Sequence, residues 1–149
     1  FRGSSVDETN NCNAVTSIVV PDSVERIQTD LWDSSQRDSE AFEYMQGLTK
    51  VTLPDSLRVI PESAFFSSRK LASINLPASL EEIGYSAFQN CVELTDLVIP
   101  DSLTSIRFPD LSNGPTRDQF GNNYAFYGCQ KLPIRTRQRL QEWGYESGF

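Results

Sequence analysis

The sequence contains no histidine among its 149 residues. Ser-His-Asp and Cys-His nucleophile systems need an imidazole to take and return a proton, and zinc in catalytic sites is commonly ligated by histidine. The absence of histidine therefore excludes these classes of enzyme and metal site, and any metal chemistry would have to rest on carboxylates. We predict a non-enzymatic protein with no catalytic residue, no bound metal and no cofactor.

Glycine, positive charge and long apolar runs are also scarce. The eight glycines are scattered and form neither G-x-x-x-x-G-K-[ST] nor G-x-G-x-x-G, so no phosphate-binding loop is predicted. The 20 acidic and 13 basic residues give a net charge of −7, which would repel a nucleic-acid backbone. No apolar run approaches the roughly 20 residues of a membrane helix. The predicted partner is another protein, with peripheral membrane association and the oligomeric state left open.

A period of 23 residues organises most of the sequence. This interval separates Pro54, Pro77 and Pro100, and it also separates Phe42, Phe65 and Phe88. Each unit reads L-x-x-[IVL]-x-[LIV]-P-x-S-[LV]-x-x-I, then a variable segment, then A-F-x-x-[C/M/S]. The Glu, Tyr and Cys of LPASLEEIGYSAFQNC have no counterparts in the preceding LPDSLRVIPESAFFSS, so the unit is a structural repeat and not a catalytic motif.

We predict three regions. Residues 1–14 are the end of a preceding repeat or an N-terminal cap, residues 15–131 hold four repeats, and residues 132–149 form a C-terminal cap with a short helix. The first and fourth repeats carry insertions at 28–40 and 107–124, both between the last isoleucine and Ala-Phe. Both insertions therefore leave the same edge of a stack of repeats.

The second repeat shows the expected local structure. Val51 and Leu53 alternate with Thr52, as a half-buried strand requires, and a second short strand follows the proline and buries the next leucine and isoleucine. Ser63 is a candidate N-cap for a single helical turn that places Phe65 in the core. One unit cannot bury its apolar side alone, so the units must stack. The predicted core column contains Phe42, Phe65, Phe88 and Phe126.

The three cysteines occupy one column of the repeat. Cys12, Cys91 and Cys129 each precede the next unit by three residues, and the same column holds Met45 and Ser68. This position accepts small or soft side chains, as a buried thiol does when it acts as a small hydrophobe. An odd number of cysteines without a Cys-x-x-Cys pair favours buried structural thiols. A disulfide between two of them is the alternative.

The stretch LASINLPASLEEIGYSAFQNC, from Leu71 to Cys91, resembles the BspA-type leucine-rich repeat, also called the Treponema-type repeat. The resemblance extends from Val15 to Leu132. The sequence departs from the family pattern in two ways. It carries the two insertions, and only the third repeat keeps the family glycine, as Gly84; the other three repeats have Gln28, Pro61 and Arg107 there. The resemblance implies a right-handed leucine-rich-repeat solenoid, an α/β repeat fold that is mostly β, with short strands and one short helical turn per repeat.

The same resemblance implies a non-enzymatic protein-interaction module. Proteins with this repeat are mostly surface or secreted proteins of bacteria and unicellular eukaryotes, so the chain is expected to be a ligand-binding or adhesive segment. The alternative is a small scaffold subunit bound permanently in a larger complex, in an intracellular or organellar setting.

Three surfaces are candidates for binding a partner. The first is the outward side of the first strands, which we call the strand face; it is small, polar and flat, and its candidate residues are Thr49, Lys50, Asn75 and Asp96. It lacks the aromatic and arginine anchors that mark binding hot spots. A simple solvated sheet surface is the alternative reading of it.

The second surface is formed by the insertions. DLWDSSQRD (Asp30–Asp38) and DLSNGPTRD (Asp110–Asp118) begin and end alike, and the aromatic residues Trp32, Phe120 and Tyr124 are candidate anchors. An Asp/Arg ion pair that closes each loop is the simpler interpretation. A calcium site built from Asp30, Asp33, Asp38 and Glu40 is disfavoured because the order of ligands and the glycine of a calcium loop are missing.

The third surface is the C-terminal segment. Pro133 suits the first position of a helix and Gly144 suits its end, with Leu140 and Trp143 on one side. This helix would cap the solenoid. Its other side carries Lys131, Arg135, Arg137 and Arg139. It is therefore either a cap alone or a cap that also docks an acidic partner or an anionic lipid.

Overall fold

The computed structural model of the chain describes residues 12–27, 42–106, 124–142, 145 and 148–149. A 3₁₀ turn at Cys12–Ala14 opens the described part. It is followed by six short strands and one helix: β1 (Ser17–Val19), β2 (Lys50–Thr52), β3 (Val59–Ile60), β4 (Ser73–Asn75), β5 (Glu82–Ile83), β6 (Ser105–Ile106) and α1 (Ile134–Glu142). Within these residues no helix is long and apolar enough to cross a membrane.

The strands form two parallel sheets. The first sheet has the order β1-β2-β4 and pairs Ser17 with Lys50 and Lys50 with Ser73. The second sheet has the order β3-β5-β6. The fourth repeat joins the first sheet through a single parallel bridge between Ser73 and Asp96. Successive repeats therefore lie side by side, with equivalent residues in register.

The second repeat shows why each element forms where it does. Val51 and Leu53 are buried and Thr52 between them is half-buried, as the strand alternation predicts. Leu57 and Ile60 are fully buried on the second sheet side. The motif serines tie each repeat to the one before it, since each Oγ donates to a preceding carbonyl. These bonds run from Ser56 to Val24 (3.0 Å), from Ser79 to Leu57 (3.0 Å) and from Ser102 to Leu80 (2.7 Å).

The helical turn expected after Ser63 does not form. Ser63 and Ser67 both have positive φ, 53° and 54°, which a helix does not accept. Ser63 N–H donates to Tyr85 O (2.9 Å) and Phe65 N–H donates to Ala87 O (2.8 Å). The N–H groups between them bond three residues back, as Phe66 N–H does to Ser63 O (3.0 Å). Bonds to the next repeat and bonds within the segment therefore alternate, and the segment is a series of tight turns and not a continuous helix. Ser63 is therefore not an N-cap.

The phenylalanines form a continuous ladder through the stack. Phe65, Phe88 and Phe126 are fully buried, and successive rings from Phe42 to Phe126 lie 5.4, 5.4 and 5.3 Å apart within 12° of parallel. Phe42 differs from the expectation of a buried core residue because it is only half-buried. It is the first ring of the described ladder, with Phe65 on one side.

The cysteine column also has a polar role. Cys91 Sγ donates to Phe65 O (3.2 Å) and Cys129 Sγ to Phe88 O (3.0 Å). Ser68 Oγ donates in the same way to Phe42 O (2.9 Å). Ser68, Cys91 and Cys129 each satisfy the carbonyl of the phenylalanine in the previous repeat. Cys91 and Cys129 are buried and free.

The two ends of the stack differ in how far their apolar residues are buried. At the C-terminal end, which we call the closed end, Leu132, Leu140 and Tyr145 are buried, and Thr136 Oγ1 donates to Leu97 O (2.6 Å). At the N-terminal end, which we call the open end, Val20 is buried, but five other apolar residues are only half-buried against the core: Val15, Ile18, Val24, Ile27 and Phe42. Their equivalents in the second repeat are fully or almost fully buried: Leu48, Val51, Leu57, Ile60 and Phe65.

Candidate functional site

The strand face is an exposed surface that crosses the first sheet. One row of outward residues contains Ser17, Lys50, Ser73 and Asp96, and the next contains Val19, Thr52, Asn75 and Val98. The inward residues between the rows, such as Val51 and Ile74, are buried. Val19 and Val98 are 73% and 76% exposed. In the second row, the polar residues Thr52 and Asn75 therefore lie between two exposed valines, Val19 and Val98.

Most polar groups of the strand face are engaged within the stack. Thr49 Oγ1 donates to Thr16 O (2.9 Å), and Ser73 Oγ donates to Asp96 Oδ2 (2.9 Å). These bonds hold the side chains in fixed positions. Lys50 is exposed on the rung between Ser17 and Ser73 and presents the positive charge of this face.

Asn75 joins two neighbouring repeats through its side chain, a role that the sequence alone does not show. Its Oδ1 accepts a hydrogen bond from Leu53 N–H (2.8 Å), and its Nδ2 donates to Leu53 O (3.0 Å). The carboxamide thus pairs with both main-chain groups of Leu53, where the strand has already ended. Replacing Asn75 would therefore disturb the join between two repeats as well as the surface.

Of the three candidate anchors in the insertions, the structure describes Tyr124. Trp32 and Phe120 lie outside the described residues, as do the Asp/Arg loop ends and the acidic residues considered for calcium. Tyr124 is half-buried, and its ring meets Tyr85 edge-to-face at 5.8 Å and Tyr127 at 5.2 Å. Tyr124 is therefore part of a tyrosine cluster with Tyr85 and Tyr127. Sequence reasoning missed Tyr85 and Tyr127 because neither recurs in the repeat.

The C-terminal basic residues are largely engaged by the protein itself. Lys131 Nζ lies 2.6 Å from Glu93 Oε2, and Arg139 contacts both Asp101 and Glu142. Arg137 donates to Gln130 O and Leu132 O. Arg135 is exposed. Lys131 and Arg139 are thus paired with carboxylates of the protein itself, whereas the contacts of Arg137 are to main-chain carbonyls.

The described residues contain no cluster typical of a metal centre. No group of three or more His, Cys, Asp or Glu side chains within them could hold a metal ion. Burial raises the pKa of Cys129 to about 12, and burial likewise raises the pKa of Cys91 well above 9.0. Thiols that stay protonated at neutral pH are poor nucleophiles, so the thiols in this region are structural.

Comparison with known proteins adds the family. The family model described as BspA type leucine rich repeat region, with six copies, matches residues 35–109, just over half of the chain. No curated protein sequence matches the chain. The chain is similar to the crystal structure of a leucine-rich repeat protein from Bacteroides ovatus ATCC 8483, with 25% identity and a TM-score of 0.46 over 61% of this chain.

The chain spans 24% of the length of that Bacteroides protein. It is also similar to the T. pallidum leucine-rich repeat protein TpLRR, with 22% identity and a TM-score of 0.41 over 87% of this chain and 84% of TpLRR. The repeat motif, the parallel pairing of equivalent residues and the match over residues 35–109 agree: this chain belongs to the BspA-type leucine-rich repeat family.

Proposed function

We propose that the chain is a non-enzymatic protein-interaction module and that its strand face binds another protein. Leucine-rich repeats of this family suggest such a role. The observation that carries the proposal is the exposure of Val19 and Val98 at either end of a polar face whose side chains are held by hydrogen bonds. Apolar contact points within a pre-ordered polar surface suit a docking partner, because little side-chain entropy is lost on binding.

The finer architecture forms part of this proposal. Residues 15–131 are four repeats of a right-handed solenoid, and residues 132–149 cap it through α1. The hydrogen bond from Thr136 to Leu97 and the burial of Leu140 support the capping role. The insertions at 28–40 and 107–124 are a second contact region, with Trp32, Phe120 and Tyr124 as anchors. Arg135, which is exposed, extends the contact surface toward acidic groups, whereas Arg139 is paired with Asp101 and Glu142 of the protein itself.

The setting is proposed from the family resemblance. A ligand-binding or adhesive segment of a surface or secreted protein would release its partner reversibly. The alternative, a scaffold subunit held permanently in a larger complex, is favoured by the half-buried apolar residues of the open end. The two settings differ in whether the partner dissociates when the purified complex is diluted.

The test of the strand face uses two matched threonines. Thr49 lies on the strand face and Thr104 on the second sheet side; both are exposed, and each Oγ1 donates to a carbonyl of the preceding repeat (2.9 Å to Thr16 and 3.1 Å to Glu81). Tagged wild type, Thr49→Lys and Thr104→Lys are used to purify interactors from the native source, and each interactor is quantified by mass spectrometry.

We expect Thr49→Lys to reduce recovery of the specific partner about tenfold, since it introduces bulk and charge into the contact, and Thr104→Lys to recover it at the wild-type level. Circular dichroism of both variants checks that they are equally folded. Recovery that survives Thr49→Lys but is lost in a Trp32→Ala/Phe120→Ala double variant would move the site to the insertions. Equal loss in both threonine variants would contradict a specific strand-face site.

A further inference from the structure

The strand pairing of the first sheet ends early between the third and fourth repeats. β2 and β4 pair over three residues, whereas the fourth repeat joins β4 only through the bridge between Ser73 and Asp96. Beyond this bridge Leu76 is half-buried, although the equivalent residues Leu53 and Ile99 are buried. The pairing of these two repeats in the first sheet therefore stops before Leu76.

The main chain of Leu76 lacks the hydrogen bonds that equivalent positions make. In the first repeat Val20 N–H donates to Thr52 O (2.9 Å), and in the second repeat Leu53 N–H donates to Oδ1 of Asn75 (2.8 Å). Among the residues that the structure describes, none is bonded to the N–H or the C=O of Leu76. One main-chain donor and one acceptor thus remain open to a partner from outside.

Asn75 shows which chemical group fits such a pair. Its Oδ1 accepts from Leu53 N–H and its Nδ2 donates to Leu53 O (3.0 Å), so one carboxamide satisfies both main-chain groups of one residue. The equivalent position in the next repeat is Val98, whose side chain can neither accept nor donate. Asn75 is exposed and Val98 is 76% exposed. The place that a carboxamide would take beside Leu76 is therefore at the surface.

We propose that the partner of the strand face inserts a primary carboxamide, the side chain of an asparagine or glutamine, which pairs with the N–H and C=O of Leu76 beside Val98. This inference rests on the function proposed above, because it names a contact within the same face. A donor and an acceptor that become buried on binding select for a group that satisfies both, since an unpaired buried group is costly.

The direct test uses as its probe a tripeptide with asparagine between two alanines. Acetyl and N-methylamide caps make the asparagine side chain its only primary carboxamide. The control probe has aspartate in place of asparagine, which keeps the shape and the main chain but has no side-chain donor when ionised. The amide resonance of Leu76 in the full chain is followed by heteronuclear NMR as each peptide is added at neutral pH.

We expect the asparagine peptide to shift the Leu76 resonance in a saturable manner with a dissociation constant in the millimolar range, because small ligands bind weakly. The aspartate peptide should bind at least about tenfold more weakly. Equal binding of the two peptides would mean that the main chain and not the carboxamide is recognised, and it would overturn the proposal. So would the absence of a saturable shift at about 100 mM peptide.

The discriminating variant is Val98→Asn, which places a carboxamide of the chain itself where Asn75 lies in the preceding repeat. Its affinity for the asparagine peptide should fall at least about tenfold, because the main chain of Leu76 is then satisfied from within. Val98→Thr keeps the β-branched shape without a carboxamide and should still bind the peptide. Val59→Asn is the matched control, since Val59 is an exposed valine on the second sheet, and it should bind as wild type does.

Each of these variants can also contradict the proposal. Unchanged peptide binding in Val98→Asn would show that Leu76 is not the site. Loss of binding in Val98→Thr would attribute the effect to the apolar contact, and loss in Val59→Asn would show that it is unspecific. Circular dichroism checks that all three variants are folded, and the comparison of the two peptides on the wild type does not depend on any variant.

Hydrogen exchange tests the structural premise without a ligand. In the wild type the amide of Leu76 should exchange faster than that of Leu53, which is bonded to Asn75. In Val98→Asn the exchange of Leu76 should slow by about tenfold or more, because the amide gains an acceptor. Equal protection of the two amides in the wild type would mean that Leu76 already has a partner, and it would overturn the proposal.

The native partner separates this inference from the proposed function. A partner whose recovery falls in Thr49→Lys but not in Val98→Asn binds the strand face without a carboxamide at Leu76, which would overturn this inference and leave the proposed function intact. A partner recovered at the wild-type level with both variants would contradict the proposed function. The peptide titration then still decides whether Leu76 binds a carboxamide.

Discussion

The open and closed ends of this stack are built from the same apolar columns but reach different degrees of burial. At the closed end, Leu132 and Leu140 of the C-terminal segment, which departs from the repeat, are buried, and Tyr145 Oη accepts a hydrogen bond from Phe126 N–H (2.9 Å). At the open end, Ile18 and Val24 are half-buried. Among the described residues, full burial is thus reached where a repeat or the C-terminal segment packs on each side.

This contrast has an energetic consequence. Apolar burial contributes about 25 cal/mol per Å² of surface removed from water, so a column residue with one neighbour contributes less than its equivalent with two. In repeat proteins stability is close to a sum of intrinsic and nearest-neighbour terms. Substitutions at equivalent positions should therefore cost progressively more from the open end toward the middle of the stack.

The largest expected effect compares two rings of the same ladder. Phe88 is fully buried between Phe65 and Phe126, and Phe88→Ala should lower the free energy of unfolding by about 3–5 kcal/mol. Phe42→Ala should cost roughly half as much, because its ring is half-buried. Urea unfolding followed by circular dichroism measures both. Equal costs would show that Phe42 is covered as well as an inner ring.

A second comparison sets one end directly against the other. Leu140 is fully buried at the closed end, and Leu140→Ala should cost about 2–5 kcal/mol. Val24→Ala at the open end should cost less than about 1 kcal/mol, since two half-buried methyl groups are removed. Thermal unfolding is the appropriate measurement. A larger loss for Val24→Ala would reverse the assignment of the two ends.

The core could be predicted from the sequence because apolar spacing alone determines it. The 23-residue period places Phe65 and Phe88 in one column, and their stacked rings follow from parallel pairing of equivalent residues. The prediction of a helical turn after Ser63 was wrong for a physical reason. Capping rules consider hydrogen bonds within one chain segment, whereas here every second N–H, including those of Ser63 and Phe65, bonds to the next repeat.

The surface was less predictable than the core. The sequence shows the charge of Lys131 and Arg139 but not that Glu93 and Asp101 lie beside them, because those pairs join residues 38 positions apart. The same limit applies to Asn75, whose outward position was clear but whose bonds to Leu53 depend on side-chain geometry. The hydrogen-bonding role of the cysteine column could have been inferred, since Ser68 occupies it.

A third prediction concerns how the free energy of unfolding depends on pH through the buried thiol of Cys129. Burial raises the pKa of Cys129 from 9.0 to about 12, so the folded thiol stays protonated at a pH where the unfolded thiol ionises. The unfolded state then binds fewer protons, and stability is unaffected below pH 9 and falls as the pH rises from 9 to 12. Cys129 alone should cost about 1.4 kcal/mol between pH 8 and pH 10.

The matched variant is Cys129→Ser, which resembles Ser68 in the same column and keeps a donor toward Phe88 O. Its unfolding free energy should fall less than that of wild type between pH 8 and pH 10, by about the same 1.4 kcal/mol. The pKa of Cys91 is also raised by burial, so Cys91→Ser should act in the same direction. An identical pH dependence in wild type and Cys129→Ser would show that this thiol is accessible in the folded protein.

The smallest expected effect tests whether charge or apolar burial secures the closed end. Lys131 and Glu93 are in contact at 2.6 Å, but their side chains are 53% and 45% exposed. Water screens an ion pair of this kind, so Lys131→Ala should change the free energy of unfolding by no more than about 0.5 kcal/mol. Unfolding in low and high salt, with Leu140→Ala measured alongside, gives the comparison. If Lys131→Ala approached the cost of Leu140→Ala, the closed end would depend on its charges, and its contrast with the open end would have to be attributed to electrostatics.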